Sequence, residues 1–213
     1  MQTDGLIQEL SKQAKPVKRL PPPYQRCICW LGSAMLCLGV GVALIGLRPD
    51  FDEKWMTGAF LVQAALTLSV AVLSAVGAFT LSVPSEEKRA LTGLAPLVAL
   101  GSWIAFLIIS LMMSPEGMLS PGSGMACVRD IIILALPPAG ILFFMIHRAA
   151  PLMLRWAGVL ISLSVAAFGA LGTQLICRND DLPHILMWHV IPVLVIGGAG
   201  AILGERLLRW ERR

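Results

Sequence analysis

Charge is scarce in this sequence. Asp, Glu, Lys and Arg make up 14% of its 213 residues and apolar residues 56%, where an ordinary soluble domain carries about 25% charged residues. The charges are bunched, and the long stretches between them have none. No segment with the composition of a soluble domain is left over. Catalytic signatures are missing too: there is no H-E-x-x-H, no phosphate-binding loop and no nucleophile–base pair. Hydrolysis is therefore not expected, and the chain does not read as an enzyme. The interiors of the apolar stretches hold no Asp, Glu, Lys or Arg. That disfavours a small-molecule or ion transporter, since intramembrane charges usually mark transport pathways. A membrane thiol oxidoreductase is disfavoured because it would normally show C-x-x-C, which is absent.

What is there in quantity is apolar chain of membrane length. Crossing about 30 Å of hydrocarbon at about 1.5 Å per residue takes roughly 20 apolar residues. The charge gaps give six such spans: Arg26 to Arg48, Lys54 to Glu86, Arg89 to Glu116, Asp130 to His147, Trp156 to about Ile176, and about Ile185 to Leu203. The fourth is the shortest, and Pro137 and Pro138 remove two helical donors within it and predict a kink. The expected fold is an all-α membrane protein, a six-transmembrane-helix bundle over 27–205. It is preceded by a cytoplasmic partner-binding arm, 1–26, and followed by a basic tail, 206–213. Small residues four apart provide close-packing stripes: Gly197 with Ala201 and Gly200 with Gly204, Ser162 with Ala166 and Ala170, Ala71 with Ala75 and Ser74 with Ala78. The first span is too long and lacks the following cleavage site of a signal peptide, so it reads as an anchor.

The basic residues set the orientation, because Lys and Arg collect on the cytoplasmic side. With both termini inside, that side holds Lys12, Lys15, Lys18, Arg19, Arg26, Lys88, Arg89, Arg148, Arg155, Arg206, Arg209, Arg212 and Arg213. The other side holds Arg48, Lys54, Arg129 and Arg178. The net charge of +4 is then a topology signal, and direct nucleic-acid binding is not expected. Basic residues beside the spans also favour anionic lipid.

Five cysteines remain. Cys27, Cys29 and Cys37 lie in or beside span one, where cysteine acts as a small apolar filler. Cys127, in the loop 114–130, and Cys177, in the turn 177–184, both fall on the outer side. There they are candidates for a reversible disulfide, a permanent structural disulfide or a soft-metal site for zinc or a similar ion. His184 with Asp180 or Asp181 can complete a tetrahedral set. His189, a few residues into span six, is the other ionisable side chain there. It reads either as a functional group or as an interfacial histidine bonded to a backbone carbonyl. At the other end of the chain, Leu6, Ile7, Leu10 and Ala14 fall on one helical face within Asp4–Lys15. They are followed by Pro21, Pro22 and Pro23. Such an arm can dock in a partner's groove or lie on lipid headgroups.

The chain resembles the NrsF-type membrane regulators of proteobacteria over essentially its whole length. The resemblance is carried by Thr3-Asp4-x-Leu6-Ile7-x-x-Leu10, Pro16-Val17-Lys18-Arg19-Leu20-x-Pro22-Pro23, Arg48-Pro49-Asp50 and Leu81-Ser82-Val83-Pro84. It continues through Ser123-Gly124-x-Ala126-Cys127, Pro137-Pro138, Cys177-x-x-Asp180-Asp181-x-x-His184-x-x-x-Trp188-His189 and Arg206-Leu207-Leu208-Arg209-Trp210. The resemblance implies an anti-sigma factor of the bacterial inner membrane. Its arm would hold an extracytoplasmic-function sigma factor in the cytoplasm, and Cys127 and Cys177 would be the sensor that releases it under oxidative or metal stress.

Overall fold

The computed structural model describes residues 3–13, 20–82, 89–113 and 122–209, the side chains of Asp4, Leu6, Leu10, Gln13 and residues 89–92 excepted. The expectations placed on Lys15, Lys18, Arg19, Pro84, Lys88, Glu116, Arg212 and Arg213 lie outside the described residues. Among those described there is no strand. The helices are α1 Thr3–Gln13, α2 Pro23–Ile45, α3 Phe51–Lys54, α4 Gly58–Leu81, α5 Arg89–Met113, α6 Met125–His147 and α7 Leu154–Ile176. A short α8, Leu182–Ile185, then passes through a π-turn, Leu186–Val190, into α9, Ile191–Leu207. Six helices are long and apolar enough to cross a membrane, the last being the continuous run Leu182–Leu207. An even number of antiparallel crossings puts the start of α2 and the end of α9 on one face, here the terminal face. The turns after α2 and α7 gather on the opposite, distal face, where α5 also ends.

Helix α7 is the axis of the bundle. Every residue from Leu160 to Gln174 is buried, and α2, α4, α6 and α9 all pack against it. A helix surrounded on all sides needs small side chains for its neighbours to approach. Gly158 meets the backbone of Gly200 and Gly204 on α9, and Gly169 meets the backbone of Ile131 on α6. A methyl group at either glycine would overlap those atoms. The Gly200 and Gly204 stripe read from the sequence is thus half of an interface whose other half is Gly158 and Ser162. Larger residues fill the space further out: Trp30 of α2 is fully buried, edge-on to Phe168 at 5.4 Å. Its indole N–H donates to the Pro138 carbonyl at 3.0 Å.

Two span boundaries differ from those read off the charges. Helix α2 begins at Pro23, so Arg26 lies within it, buried, with its guanidinium on the Met145 carbonyl. Helix α6 begins at Met125, so Cys127, Arg129 and Asp130 are helical and Cys127 is not in a loop. Both departures have one cause: a charge does not end a helix when a partner lies within reach. Arg26 uses a helix-terminal carbonyl, and Arg129 donates to the buried Asp130 at 2.9 Å. Helix α6 also runs on through Pro137 and Pro138 as one helix. The donors that these prolines lack leave the carbonyls of Ile133 and Leu134 without their helical partners.

Candidate functional site

The site is built where α6 begins and α7 ends. Just before α6, Gly122 adopts φ +60° and accepts the Trp188 indole N–H on its carbonyl at 3.1 Å. Gly124 lies so close to the Trp188 ring that any side chain there would collide with it. This clasp fixes the first turn of α6 and with it Cys127. On α7, the Cys177 N–H makes the last helical bond, to the Thr173 carbonyl at 2.7 Å, before the backbone turns extended. Asn179 holds the turn, accepting the Asp181 N–H at 2.8 Å on Oδ1, and α8 then starts with Pro183 in its first turn.

The π-turn aligns the two histidines. Residues five apart on an α-helix point about 140° away from each other, since each residue rotates about 100°. The wider turn takes up one extra residue, with the Ile191 N–H bonded to the Leu186 carbonyl. It leaves the His184 and His189 rings edge to face, 5.8 Å between centroids. Both rings are buried.

Four donor atoms therefore converge. Cys127 Sγ lies 3.5 Å from Cys177 Sγ. His184 Nε2 lies 3.4 Å from Cys127 Sγ and 3.6 Å from Cys177 Sγ. With one nitrogen of His189, all four atoms lie within 4.8 Å of one another. A tetrahedral zinc ion with Zn–S of about 2.3 Å and Zn–N of about 2.0–2.1 Å would space its ligands by about 3.8 Å (S to S) and about 3.5 Å (S to N). The chemistry and the spacing of the donor set fit a soft divalent ion. The Cys127 S–H is directed at Cys177 and holds that thiol well below the ordinary thiol range. This outweighs burial, which acts in the opposite sense, and the neighbouring His189 ring reinforces it. One sulfur of the pair is thus poised as a thiolate.

An ion-pair network braces the turn. Arg48, just beyond α2, has a side chain only 1% exposed. It forks onto Asp180 at 2.7 and 2.8 Å and onto Asp50 at 2.8 Å through both oxygens. Its backbone N–H donates to the Leu175 carbonyl at 3.0 Å. Lys54 adds a second cation at 2.6 Å from Asp180. Burial would raise the Asp180 carboxyl, but hydrogen bonds from Arg48 and Lys54 outweigh it and hold Asp180 below the usual carboxylate range. The Arg48 fork lowers Asp50 to about 2.

Comparison with known proteins places this arrangement. A family model described as negative regulator of sigma F matches residues 10–210. The chain belongs to that family. A curated member, described as probable anti-sigma-F factor NrsF of Azospira oryzae, is 27% identical over 218 residues, covering 99% of this chain and all of the relative. No solved structure matches.

Of the site residues expected from sequence, the structure brings Cys127, Cys177, His184 and His189 together and leaves two out. Asp180 is turned to Arg48 and Lys54 and is not among the converging donors. Asp181 is exposed at the start of α8 and also lies apart. The reason is local. The turn from Cys177 to Asp181 sends the Asp180 carboxylate toward the cations of the α2–α4 connection and leaves Asp181 exposed, while the sulfur stays inside. His189 is not bonded to a backbone carbonyl; neither ring nitrogen has a hydrogen-bond partner. The sequence reading missed the brace itself. Its signal was Arg48-Pro49-Asp50, a basic and an acidic residue held two apart by proline. On α1, Ile7 is 58% exposed, while the side chains of Leu6 and Leu10 lie outside the described residues.

Proposed function

We propose that this chain is a bacterial inner-membrane anti-sigma factor. It sequesters an extracytoplasmic-function sigma factor in the cytoplasm through α1, with Leu6, Ile7 and Leu10 as the anchor, and releases it when the distal thiols react. The observation that carries the reading is the convergence of Cys127, Cys177, His184 and His189 from the ends of three helices at one point. The buried thiol pair with its low-lying sulfur supports redox sensing, and the tetrahedral spacing supports metal sensing. The basic residues on the terminal face support a cytoplasmic arm.

The residues serve both chemistries. A bound soft ion supplies a cross-link between α6 and the α7–α8 turn; His184 and His189 would contribute nitrogen, Cys127 and Cys177 sulfur. Toward a peroxide, the Cys177 thiolate takes a hydroxyl group and becomes a sulfenic acid. The hydroxide set free removes the Cys127 proton as water. Cys127 then displaces hydroxide from the Cys177 sulfur and closes the disulfide. Two electrons pass from the sulfurs to the peroxide, which ends as one water and one hydroxide. The sulfurs must close from 3.5 Å to about 2.05 Å, drawing the first turn of α6 toward the end of α7. Helix α2 feels this at both ends, through Arg48 and Asp180 on the distal face and through Arg26 on the end of α6. The arm is attached to α2. A differential of about 1–3 kcal/mol between the two states suffices for such a switch.

The test is co-purification of the sigma factor with wild type, Cys127→Ser and Cys177→Ser, before and after peroxide or zinc. Alkylation trapping reports the thiols in the same samples. Release from wild type alone, with variant abundance normal, is expected. Release that is equal in all three proteins would refute the sensor reading, and failure of the wild type to capture the sigma factor would refute the regulator reading.

A further inference from the structure

Below the four-donor cluster, toward the middle of the bundle, lies a buried polar chain that the proposed function does not use. Gln174 of α7 is 5% exposed. Its Nε2 donates to Thr67 Oγ1 of α4 at 2.8 Å. The direction of that bond is fixed, because the Thr67 hydroxyl is itself spent as a donor to the Gln63 carbonyl at 2.8 Å. A hydroxyl whose proton is committed can only accept, so the amide presents its NH2 to Thr67 and its Oε1 the other way. Gln174 Oε1 has no partner, and neither ring nitrogen of His189 has one. Gln174, His189 and Cys177 line one small cavity of about 10 Å³, room for about one water centre.

We infer that Gln174, oriented by Thr67, is the positioning residue that accepts the second ring N–H of His189, directly or through one water, and so holds His189 in its metal-binding tautomer. The inference rests on reading the cluster as a metal site. A neutral imidazole that gives one nitrogen's lone pair to a metal carries its proton on the other, and that N–H needs a buried acceptor. Apart from the Cys177 sulfur, itself one of the converging donors, and the Gln63 side chain, the other acceptors lining the cavity are committed. Asp180 is held by Arg48 and Lys54, the Asn179 side-chain oxygen by the Asp181 N–H, and the Gln63 carbonyl by Thr67. The Gln63 side chain is part-exposed. Gln174 Oε1 is both buried and unpartnered. Leaving acceptor and N–H each unmet in an apolar bundle would cost more than pairing them.

The experiment uses the full chain in nanodiscs. Zinc affinity is measured by competition with a chromophoric chelator, and Co²⁺ serves as a spectroscopic probe of the ligand set. Gln174→Leu should weaken zinc about 10- to 100-fold, as loss of such an outer partner typically does, and should alter the Co²⁺ ligand-field bands. Gln174→Glu should restore both, since either protonation state keeps an acceptor toward His189. Thr67→Val, which frees the amide to flip, should fall between them. Zinc-free melting temperatures separate a structural effect. If Gln174→Leu binds zinc like wild type while Cys127→Ser is weakened, the inference is overturned. It is equally overturned if Gln174→Leu and Gln174→Glu lose affinity alike and in step with their stability. If wild type binds no zinc, or Cys127→Ser binds as wild type does, the metal site itself fails and the role of Gln174 falls with it.

Discussion

Replacing Arg48 by Met should loosen the turn that carries Cys177 and His184 while leaving the bundle assembled. The side chain is 1% exposed and Asp180 is 38% exposed. Breaking a fully buried ion pair costs about 3–5 kcal/mol because one charge is left without water or partner. Here the stranded Asp180 can take up water and keeps Lys54 at 2.6 Å, so solvent screening applies. The Arg48–Asp180 interaction is then worth about 1–2 kcal/mol. Since 1.4 kcal/mol is a factor of ten, the effective concentration of Cys177 at Cys127 should fall by roughly 5- to 30-fold. The assay equilibrates full-length protein in glutathione redox buffers and reads the Cys127–Cys177 disulfide fraction for wild type, Arg48→Met, Asp180→Asn and the double variant. The two single effects should not add, because they remove the same contact. An unchanged effective concentration in Arg48→Met, or strictly additive losses, would refute the brace. The pH dependence has a fixed sign. Carboxyls lowered in the folded state contribute in full above their ordinary range, near pH 4, and lose that contribution as pH falls toward the folded value, about 2 for Asp50. Between about pH 5 and 8 the brace should be insensitive to pH.

Other outcomes follow from the same geometry. Changing Leu6 and Leu10 together to Asp should free the sigma factor and switch its target genes on; at about 1.5–3 kcal/mol for each buried Leu the loss is two to four decades. Unchanged repression at normal abundance would mean that the arm rests on lipid. Alkylation of Cys177 by iodoacetamide should be nearly flat between about pH 6 and 8, whereas an unperturbed thiol speeds up roughly 75-fold; a tenfold rise per pH unit would remove the poised thiolate. Gly158→Leu should abolish folded protein by forcing α7 from α9, while Gly198→Leu, which meets nothing within 4 Å, should be tolerated; equal yields would contradict the close crossing.

The six spans were legible because the bilayer imposes length and apolarity on each helix separately, so charge gaps alone locate them. Their ends were less legible, because a charge marks a boundary only when it has nothing to bind. Arg26 has the Met145 carbonyl and Arg129 has Asp130, and each helix extends past the residue expected to stop it. Packing was half legible. Stripes of small residues identify faces, yet which stripes meet depends on the arrangement of the helices. Gly200 meets both Ser162, where the α7 stripe was read to start, and Gly158 one turn earlier, which that stripe left out and which also meets Gly204. That α7 is the axis was not visible in its composition, since every span is about equally apolar.

At the site, the sequence supplied the donor types but not which of them share a point. Cys127, Cys177 and His184 each lie close to the distal end of a helix, so sequence position alone brings them near. His189 required the π-turn, which no residue pattern announces. Asp180 and Asp181 looked eligible from spacing; Asp180 is drawn away by charge and Asp181 sits exposed at the start of α8. Arg48 holds Asp50 and Asp180 together, Lys54 adds a second cation at Asp180, and the two draw Asp180 to the rim. This diversion shapes the chemistry. With Asp180 turned to guanidinium and ammonium groups and Asp181 out in the open, the buried centre keeps only sulfur and imidazole, a set that suits zinc or copper far better than calcium or magnesium. The brace therefore does two things through one contact. It holds the α7–α8 turn to the end of α2, and it keeps oxygen ligands out of the centre. Asp180→Asn separates them: the amide weakens the hold on Arg48 without offering the metal a carboxylate. Thiol proximity should fall in that variant while the preference for zinc over magnesium persists. A gain in magnesium binding there would show that something other than Arg48 sets the ligand choice.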